Sequence, residues 1–374
     1  MPDSATGTSR APRVPAGNAA VPAGLSSVVG QINTTAAVMR DAVAKVASAA
    51  VEPAEFFSEI ATRLRRVVPY DASGWMTLDP DTLLPSGALE TEKPAELVRT
   101  LWRNELQVPD AHKLTVLAAK PIPVAALSQL SPAAAADSER LQVILGPRGI
   151  GDEMRVMLRA GGSTWGFIAL YREYGSRAFD AGELELFADL AVQVGEGLRR
   201  SLSRRPAPEA VDALAPGVVA FDSAGSVVSA TSEATRLMSL MPGDATTMLY
   251  AVAAKASHSD GAQARIRLLD GQWLLAHGGR MHGAPADSAQ VTVTLTPAPR
   301  ADVVSIMLRL HGLSAREREV AELLMTGTAT DAIAERLHIS PHTLHDHVKS
   351  IFAKLGAKSR AELMTLGSNP APPS

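Results

Sequence analysis

Between residues 342 and 358 three histidines, an aspartate and three lysines stand close together: His342, His345, His347, Asp346, Lys349, Lys354 and Lys358. Two chemistries use such residues. Imidazoles and carboxylates hold transition metals, and Lys, Asp and hydroxyl side chains hydrogen-bond to base edges and phosphates of a duplex. On a helix His342 and His345 share a face while His347 turns away, so one ion cannot use all three. The chain also has no cysteine to add a ligand. No metal and no cofactor are expected. Elsewhere, Gly146-Pro147-Arg148-Gly149-Ile150-Gly151 is glycine-rich but fits neither nucleotide-binding spacing, and reads as a plain turn. Asp71, Asp79 and Asp81 lack the repeating βα context of a phosphoacceptor. Trp75, Trp165 and Trp273 read as core. No nucleophile stands beside a base, so an enzyme is not expected.

The elements that position the C-terminal cluster are well marked. Ser314-Ala315-Arg316-Glu317 is a capping box, and the helix it opens carries Val320, Leu323 and Leu324 before Gly327. A short helix over Thr330–Leu337 follows. Ser340 is an N-cap, with Pro341 at the first helical position, where its fixed φ fits. From Pro341 to about Leu355, Leu344, Val348, Ile351, Phe352 and Leu355 form one apolar stripe. His342, His345, Asp346, Lys349 and Ser350 lie off it. Lys349, Lys354, Lys358 and Arg360 against Asp346 give a local charge of +3, although residues 301–374 hold eight basic and eight acidic side chains. Ser359 and Glu362 open a fourth helix. Two short helices, a tight turn and a polar-faced third helix describe a DNA-reading helix-turn-helix.

These residues carry a resemblance. Leu313-Ser314-Ala315-Arg316-Glu317-Arg318-Glu319-Val320, Ile333-Ala334-Glu335-Arg336-Leu337, Ile339-Ser340, Thr343-Leu344, His347-Val348, Ile351-Phe352, Lys354-Leu355-Gly356 and Ser359-Arg360 closely resemble the LuxR-type helix-turn-helix over about Gly312–Leu366. The resemblance implies that His345, Asp346 and Lys349 face base edges in the major groove. It also implies that Ser340, Thr343 and Lys354 contact phosphates. Lys can donate to guanine and Asp can accept from cytosine. Two positions depart from the family: Ala332 stands where Glu is usual, and His345 where Lys or Gln is common. The histidine makes the electrostatic part of binding smaller and pH-sensitive.

The rest of the 374 residues bounds the setting. With 46% apolar residues and a net charge of −3, the chain can bury real cores, and any nucleic-acid surface must be local. No apolar run is long enough to span a membrane, and the absence of cysteine fits a reducing, cytoplasmic setting. Residues 1–24, rich in Pro, Ala, Gly and Ser, read as a disordered tail. Residues 25–51 carry a heptad seam of Leu25, Val29, Ile32, Ala36, Met39, Val43, Val46 and Ala50. Two readings stand for it: a parallel dimer helix, or the first helix of the next domain packed on its own sheet.

Residues 52–202 read as α+β. Helices are predicted over Ala54–Val67, Pro94–Leu106 and Pro132–Leu145, and strands over Ala72–Leu78, Glu153–Arg159 and Ser163–Tyr171. In the last strand the alternation sets Trp165, Phe167, Ala169 and Tyr171 on one face, with Gly166, Ile168 and Leu170 on the other. Asp180 and Glu183 cap a closing helix. After a break at Arg204–Pro208, residues 209–298 read as a smaller α+β module around the Asp270-Gly271 hairpin. By pattern the first region resembles a GAF domain and the second a PAS domain. The whole arrangement resembles actinobacterial regulators with a GAF-type sensor and this output domain.

The expected fold is therefore multidomain: GAF-like and PAS-like α+β sensor modules, then an all-α, four-helix LuxR-type helix-turn-helix over 303–368. The expected function is a sequence-specific, signal-responsive DNA-binding regulator, acting as a homodimer on double-stranded DNA. A small-molecule ligand in the GAF-like or PAS-like module is part of that expectation. The alternative is a protein-interaction module whose helix-turn-helix no longer binds DNA strongly.

Overall fold

The computed structural model describes residues 37–48, 51–203, 215–259, 261–281 and 291–365. The expected tail (1–24), the start of the heptad seam (25–36) and the Arg204–Pro208 break lie outside these residues. Helix α1 (residues 37–48) carries part of the seam. Its Met39, Val43 and Val46 are buried in one apolar cluster with Phe56, Phe57 and Leu198, and Arg40 pairs with Asp189 at 2.5 Å. This part of the seam packs within the chain. Helix α2 (Pro53–Val67) starts on a proline, where a missing N–H is harmless, and buries Phe56, Phe57, Ile60 and Leu64 along one side.

Strands β1 (Ala72–Leu78), β2 (Pro85–Thr91), β3 (Val124–Ala126), β4 (Ile150–Ala160) and β5 (Ser163–Glu173) form an antiparallel sheet in the order β2-β1-β5-β4-β3. Helices α3 (Ala95–Gln107), α4 (Leu114–Ala119) and α5 (Pro132–Asp137) lie between β2 and β4 in sequence, and α6 (Ala181–Ser203) follows β5. Both faces are covered. Trp75, Met154, Val156, Ile168 and Leu170 pack with α1, α2 and α6, while Met76 and Met157 pack with Val98, Trp102 and Leu117. The α6 cap is reciprocal: Glu183 N donates to Asp180 Oδ1 (2.9 Å) and Asp180 N to Glu183 Oε2 (3.1 Å).

Two local expectations are corrected. Trp165 does not share a face with Phe167, Ala169 and Tyr171. Pairing passes from Leu158↔Gly166 to Arg159↔Thr164, leaving Trp165 as an extra residue. That bulge turns its indole to the side of Ile168 and Leu170, where Nε1 donates to the Ala160 carbonyl at 3.1 Å. The helix predicted over Pro132–Leu145 is broken at Ser138. The Ser138 hydroxyl donates to Asp110 (2.7 Å) and accepts from Leu141 N (3.1 Å), and Arg140 N also donates to Asp110 (2.7 Å). Asp110 therefore supplies the backbone with an alternative to helix.

A second antiparallel sheet is built from β6 (Gly217–Phe221), β7 (Val227–Ala230), β8 (Ala262–Arg267), β9 (Trp273–Arg280) and β10 (Val291–Pro297), with α7 (Ser232–Ser239) and α8 (Ala245–Ala256) between β7 and β8. Its order, β7-β6-β10-β9-β8, repeats the first sheet's rank order of second, first, fifth, fourth, third. The predicted hairpin is closed by Leu268 N donating to Gln272 O (2.9 Å), with Gly271 at φ 82°. Helix α8 lies against the sheet, and a Cβ on Gly278 would come within 2.9 Å of the Ala256 Cβ. Among the described residues no helix is long and apolar enough to cross a membrane.

The modules are tied by charge as well as by apolar contact. After β1, the carboxylate of Asp79, 1% exposed, accepts from Arg265 of β8 through N (2.8 Å), Nε (2.8 Å) and Nη2 (2.7 Å). Burial pushes this carboxyl up, and Arg265 reverses the effect, holding it below the usual carboxylate range. Two residues on, Asp81 pairs with Arg265 (2.6 Å) and with Arg309 (2.7 Å). Arg309 belongs to α9 (Arg300–Leu310), whose Val303, Ile306 and Leu310 are buried in the α1–α2–α6 cluster. Leu308 and Val304 of the same helix pack with the C-terminal core. Asp79→Ala is expected to lower stability by about 3 kcal/mol, the low end for breaking a buried pair, because Asp81 still faces the guanidinium. A urea titration followed by tryptophan fluorescence measures it, and a loss below about 1 kcal/mol would refute the contribution assigned to this pair.

Candidate nucleic-acid interface

The C-terminal domain is assembled by local rules. Helix α10 (Ala315–Met325) begins with the predicted capping box, in which Glu317 N donates to Ser314 Oγ (3.2 Å) and Ser314 N to Glu317 Oε2 (2.6 Å). Helix α11 (Thr330–Arg336) follows Gly327, whose φ is 85°. The turn into the next helix places His338 at φ 51°, and Ile339 N donates to Ala334 O (3.0 Å) across it. Helix α12 spans Pro341–Leu355, as the spacing predicts. It is capped by Ser340 Oγ accepting from Thr343 N (3.0 Å) and stopped by Gly356 at φ 65°. A last helix, α13, covers Arg360–Thr365. Leu344, Ile351 and Leu355 pack with Leu313, Val320, Leu324, Ile333 and Leu363 in one core.

That packing leaves the other side of α12 in water. His342, Thr343, His345, Asp346 and Lys349 are all exposed, as is Ser340 at its start. The Ser340 and Thr343 hydroxyls lie 2.9 Å apart, beside the helix N-terminus, where backbone N–H groups and the helix dipole favour an anion. His342 and Asp346 are 3.8 Å apart and both open to solvent, so their mutual attraction is weak. Five of the six expected contact residues thus lie on or beside one open surface. Among the described residues no group of three or more His, Cys, Asp or Glu is placed to hold a metal ion.

The sixth, Lys354, is differently employed. Its Nζ donates to both Glu317 oxygens (2.7 and 2.9 Å), and Ser350 Oγ donates to Glu317 Oε1 (2.6 Å). Burial pushes the Glu317 carboxyl up, but the Lys354 ammonium, the Ser350 hydroxyl and the Ser314 backbone N–H outweigh it and hold it at about 2. Arg360 is also engaged, donating to the carbonyls of Leu324 (3.1 Å) and Thr328 (2.7 Å) at the end of α10. The local charge of +3 read from the sequence is therefore partly spent inside the domain. Sequence reasoning gave Glu317 a capping role only. Its bond to α12 leaves no trace in spacing, since the partners lie 33 and 37 residues away.

Three helices with a tight turn before the third, and an uncovered polar side on that third helix, define a helix-turn-helix domain. The profile described as "Bacterial regulatory proteins, luxR family" matches residues 311–366. The spore germination protein GerE of Bacillus subtilis is 42% identical over 59 residues, which is 15% of this chain and 80% of that protein. A putative HTH-type transcriptional regulator of Aeromonas salmonicida is 49% identical over 57 residues, 15% of this chain and 29% of the other. The chain belongs to the luxR family of bacterial regulatory proteins, and its C-terminal part is the family's DNA-binding domain. It spans under a third of the length of the Aeromonas relative and of Mycobacterium tuberculosis NarL. Escherichia coli SdiA aligns with 83% of this chain and 88% of its own at 14% identity and a TM-score of 0.31, too low to support an argument about the two sheets.

The Glu317 anchor has a pH signature. A carboxyl held at about 2 against an ordinary 4.5 adds stability that is complete above about pH 4.5 and lost as the pH falls toward 2. Glu317→Gln is expected to destabilise the C-terminal domain by about 1–3 kcal/mol at neutral pH and to flatten the acid decline over that window. Thermal melts of both proteins across the window test this, and parallel declines would show that Glu317 is not the anchor.

Proposed function

We propose that the protein is a signal-responsive transcriptional regulator in which α12 lies in the major groove of duplex DNA. The exposed side of α12, with its apolar side locked into the core, carries this reading. His345, Asp346 and Lys349 read base edges, and Ser340 and Thr343 position the helix on phosphates. Lys354 reaches the backbone only in part, because Glu317 holds its ammonium. One weakly basic helix gains affinity when a second copy is bound beside it, so a homodimer on two half-sites is the functional unit. The two α+β modules are GAF-like and PAS-like sensors of the type found in actinobacterial regulators. Their shared strand order and helix-covered sheets support that assignment. The protein works in the cytoplasm, and its family relatives are regulators rather than enzymes.

The engagement of Lys354 and Arg360 within the domain favours one competing reading, a protein-interaction module with little affinity for DNA. Binding of the full chain to genomic fragments at two salt concentrations separates the two, since phosphate contacts produce a steep loss with salt. Lys349→Ala is expected to weaken the preferred fragment by about 1–3 kcal/mol, about a five- to 150-fold change, with little effect on unrelated DNA. An unchanged affinity would remove Lys349 from base reading, and a flat salt response would favour the interaction module.

A further inference from the structure

Between the first sheet and α3 lies a cavity of about 40 Å³ whose walls include Gly74 and Met76 of β1, Thr91 of β2, Trp102 of α3, and Phe167 and Ala169 of β5. Arg155 also lines it, 4% exposed, held by Glu153 (3.1 Å) and Glu105 (2.7 Å). Two of these strands, β1 and β2, are joined by the turn that carries Asp79 and Asp81. That turn is braced from inside: Asp79 N donates to Leu84 O (2.8 Å), Leu83 N to Asp79 O (2.8 Å), and Asp81 N to Asp79 Oδ1 (2.9 Å). A braced turn moves as one piece with its hairpin, and its carboxylates hold Arg265 of the second module and Arg309 of α9.

We propose that the β1–β2 hairpin is the lever through which occupancy of this cavity controls the DNA-binding domain, with Asp81–Arg309 as its point of attachment to α9. The proposal rests on the reading of the chain as a signal-responsive regulator. Asp79 keeps the hairpin docked on β8 through three bonds to Arg265, so hairpin and second module shift together. Asp81, 42% exposed at its side chain, is the one carboxylate of the turn that reaches α9 among the described residues. On α9 no partner reaches the buried Arg309 Nε, so Asp81 supplies this guanidinium's ion pair among the described residues. Helix α9 in turn has one side in the N-terminal core and the other in the helix-turn-helix core. A displacement of the cavity wall thus has a polar route to α9 through the turn, Asp81 and Arg309, beside the apolar contacts that α9 makes in both cores.

A double-mutant cycle tests this without an identified ligand. Gly74→Ala adds a methyl to the cavity wall, where its Cβ meets only Thr91 Oγ1 at 3.6 Å. Asp81→Asn cuts the attachment and leaves Asp79–Arg265 in place. Hydrogen exchange of the α9 amides in the full-length protein is the readout, with affinity for the preferred DNA fragment measured alongside. Asp81→Asn is expected to speed α9 exchange by up to about fivefold, the scale of a partly exposed pair. Gly74→Ala should change α9 exchange at least about twofold in the wild-type background and leave it unchanged in Asp81→Asn. Arg309→Gln should reproduce Asp81→Asn. Equal effects of Gly74→Ala in both backgrounds, or α9 exchange indifferent to Asp81→Asn, would overturn the proposal. Exchange needs no DNA, so a protein that failed to bind any fragment would count against the proposed function and leave this result standing.

Discussion

Taking the Asp79 carboxylate out of water carries a penalty of several kcal/mol, and only well-aimed partners offset it. Arg265 supplies three donors, two from its guanidinium and one from its backbone. Asp79, just after β1, and Arg265, in β8, lie 186 residues apart in the chain. Their geometry can be satisfied only if both sheets are already folded and correctly apposed. Apolar contact brings two surfaces together; directional pairs such as this one, and the Gln107 and Arg267 bonds beside it, set their register. Asp81 of the same turn also pairs with Arg309 of α9, a helix held mainly by the burial of Val303, Ile306, Leu308 and Leu310.

The C-terminal domain solves a different problem. A reading helix must be held firmly by one side while the other side stays free. Leu344, Ile351 and Leu355 provide the hold by burial, and Glu317 adds a polar clamp by binding Ser350 and Lys354 near the far end of the helix. The clamp consumes a positive charge that the domain could have offered to phosphate. What α12 leaves exposed is compact: hydroxyls at its N-terminus and a short row of His345, Asp346 and Lys349. On the function proposed above, such a surface draws specificity from base-edge geometry more than from bulk charge.

Much of this was readable from residues alone. The start of α12 followed from Ser340 and Pro341 and its end from the apolar stripe ending at Leu355, because such signals act through near neighbours. The Met39–Val46 part of the heptad seam, the Asp180–Glu183 cap and the Asp270-Gly271 hairpin are equally local. What escaped was non-local or depended on absence of signal. Strand β2 opens on a proline and runs through Ser86 and Gly87, so nothing in its composition announces a strand. It exists because β1 offers it an edge. The bulge at Trp165 inverted a face assignment that strict alternation gave wrongly. Ser138 broke a helix through a carboxylate 28 residues away. The engagement of Lys354 and Arg360 was hidden for the same reason, and the charge count overstated the surface.

The two-sided character of α9 bears on how the molecule can be dissected. Its Val303, Ile306 and Leu310 are covered by helices of the N-terminal module, and its Leu308 by the helix-turn-helix core. A C-terminal fragment beginning at Arg300 would carry a bare greasy stripe into solvent and tend to self-associate. One beginning after Leu310 would be soluble at that edge but would leave Leu313 and Leu324 without the Leu308 neighbour. No cut site therefore yields an output domain identical to the one in the intact protein, and binding constants from excised fragments would describe a differently dressed molecule.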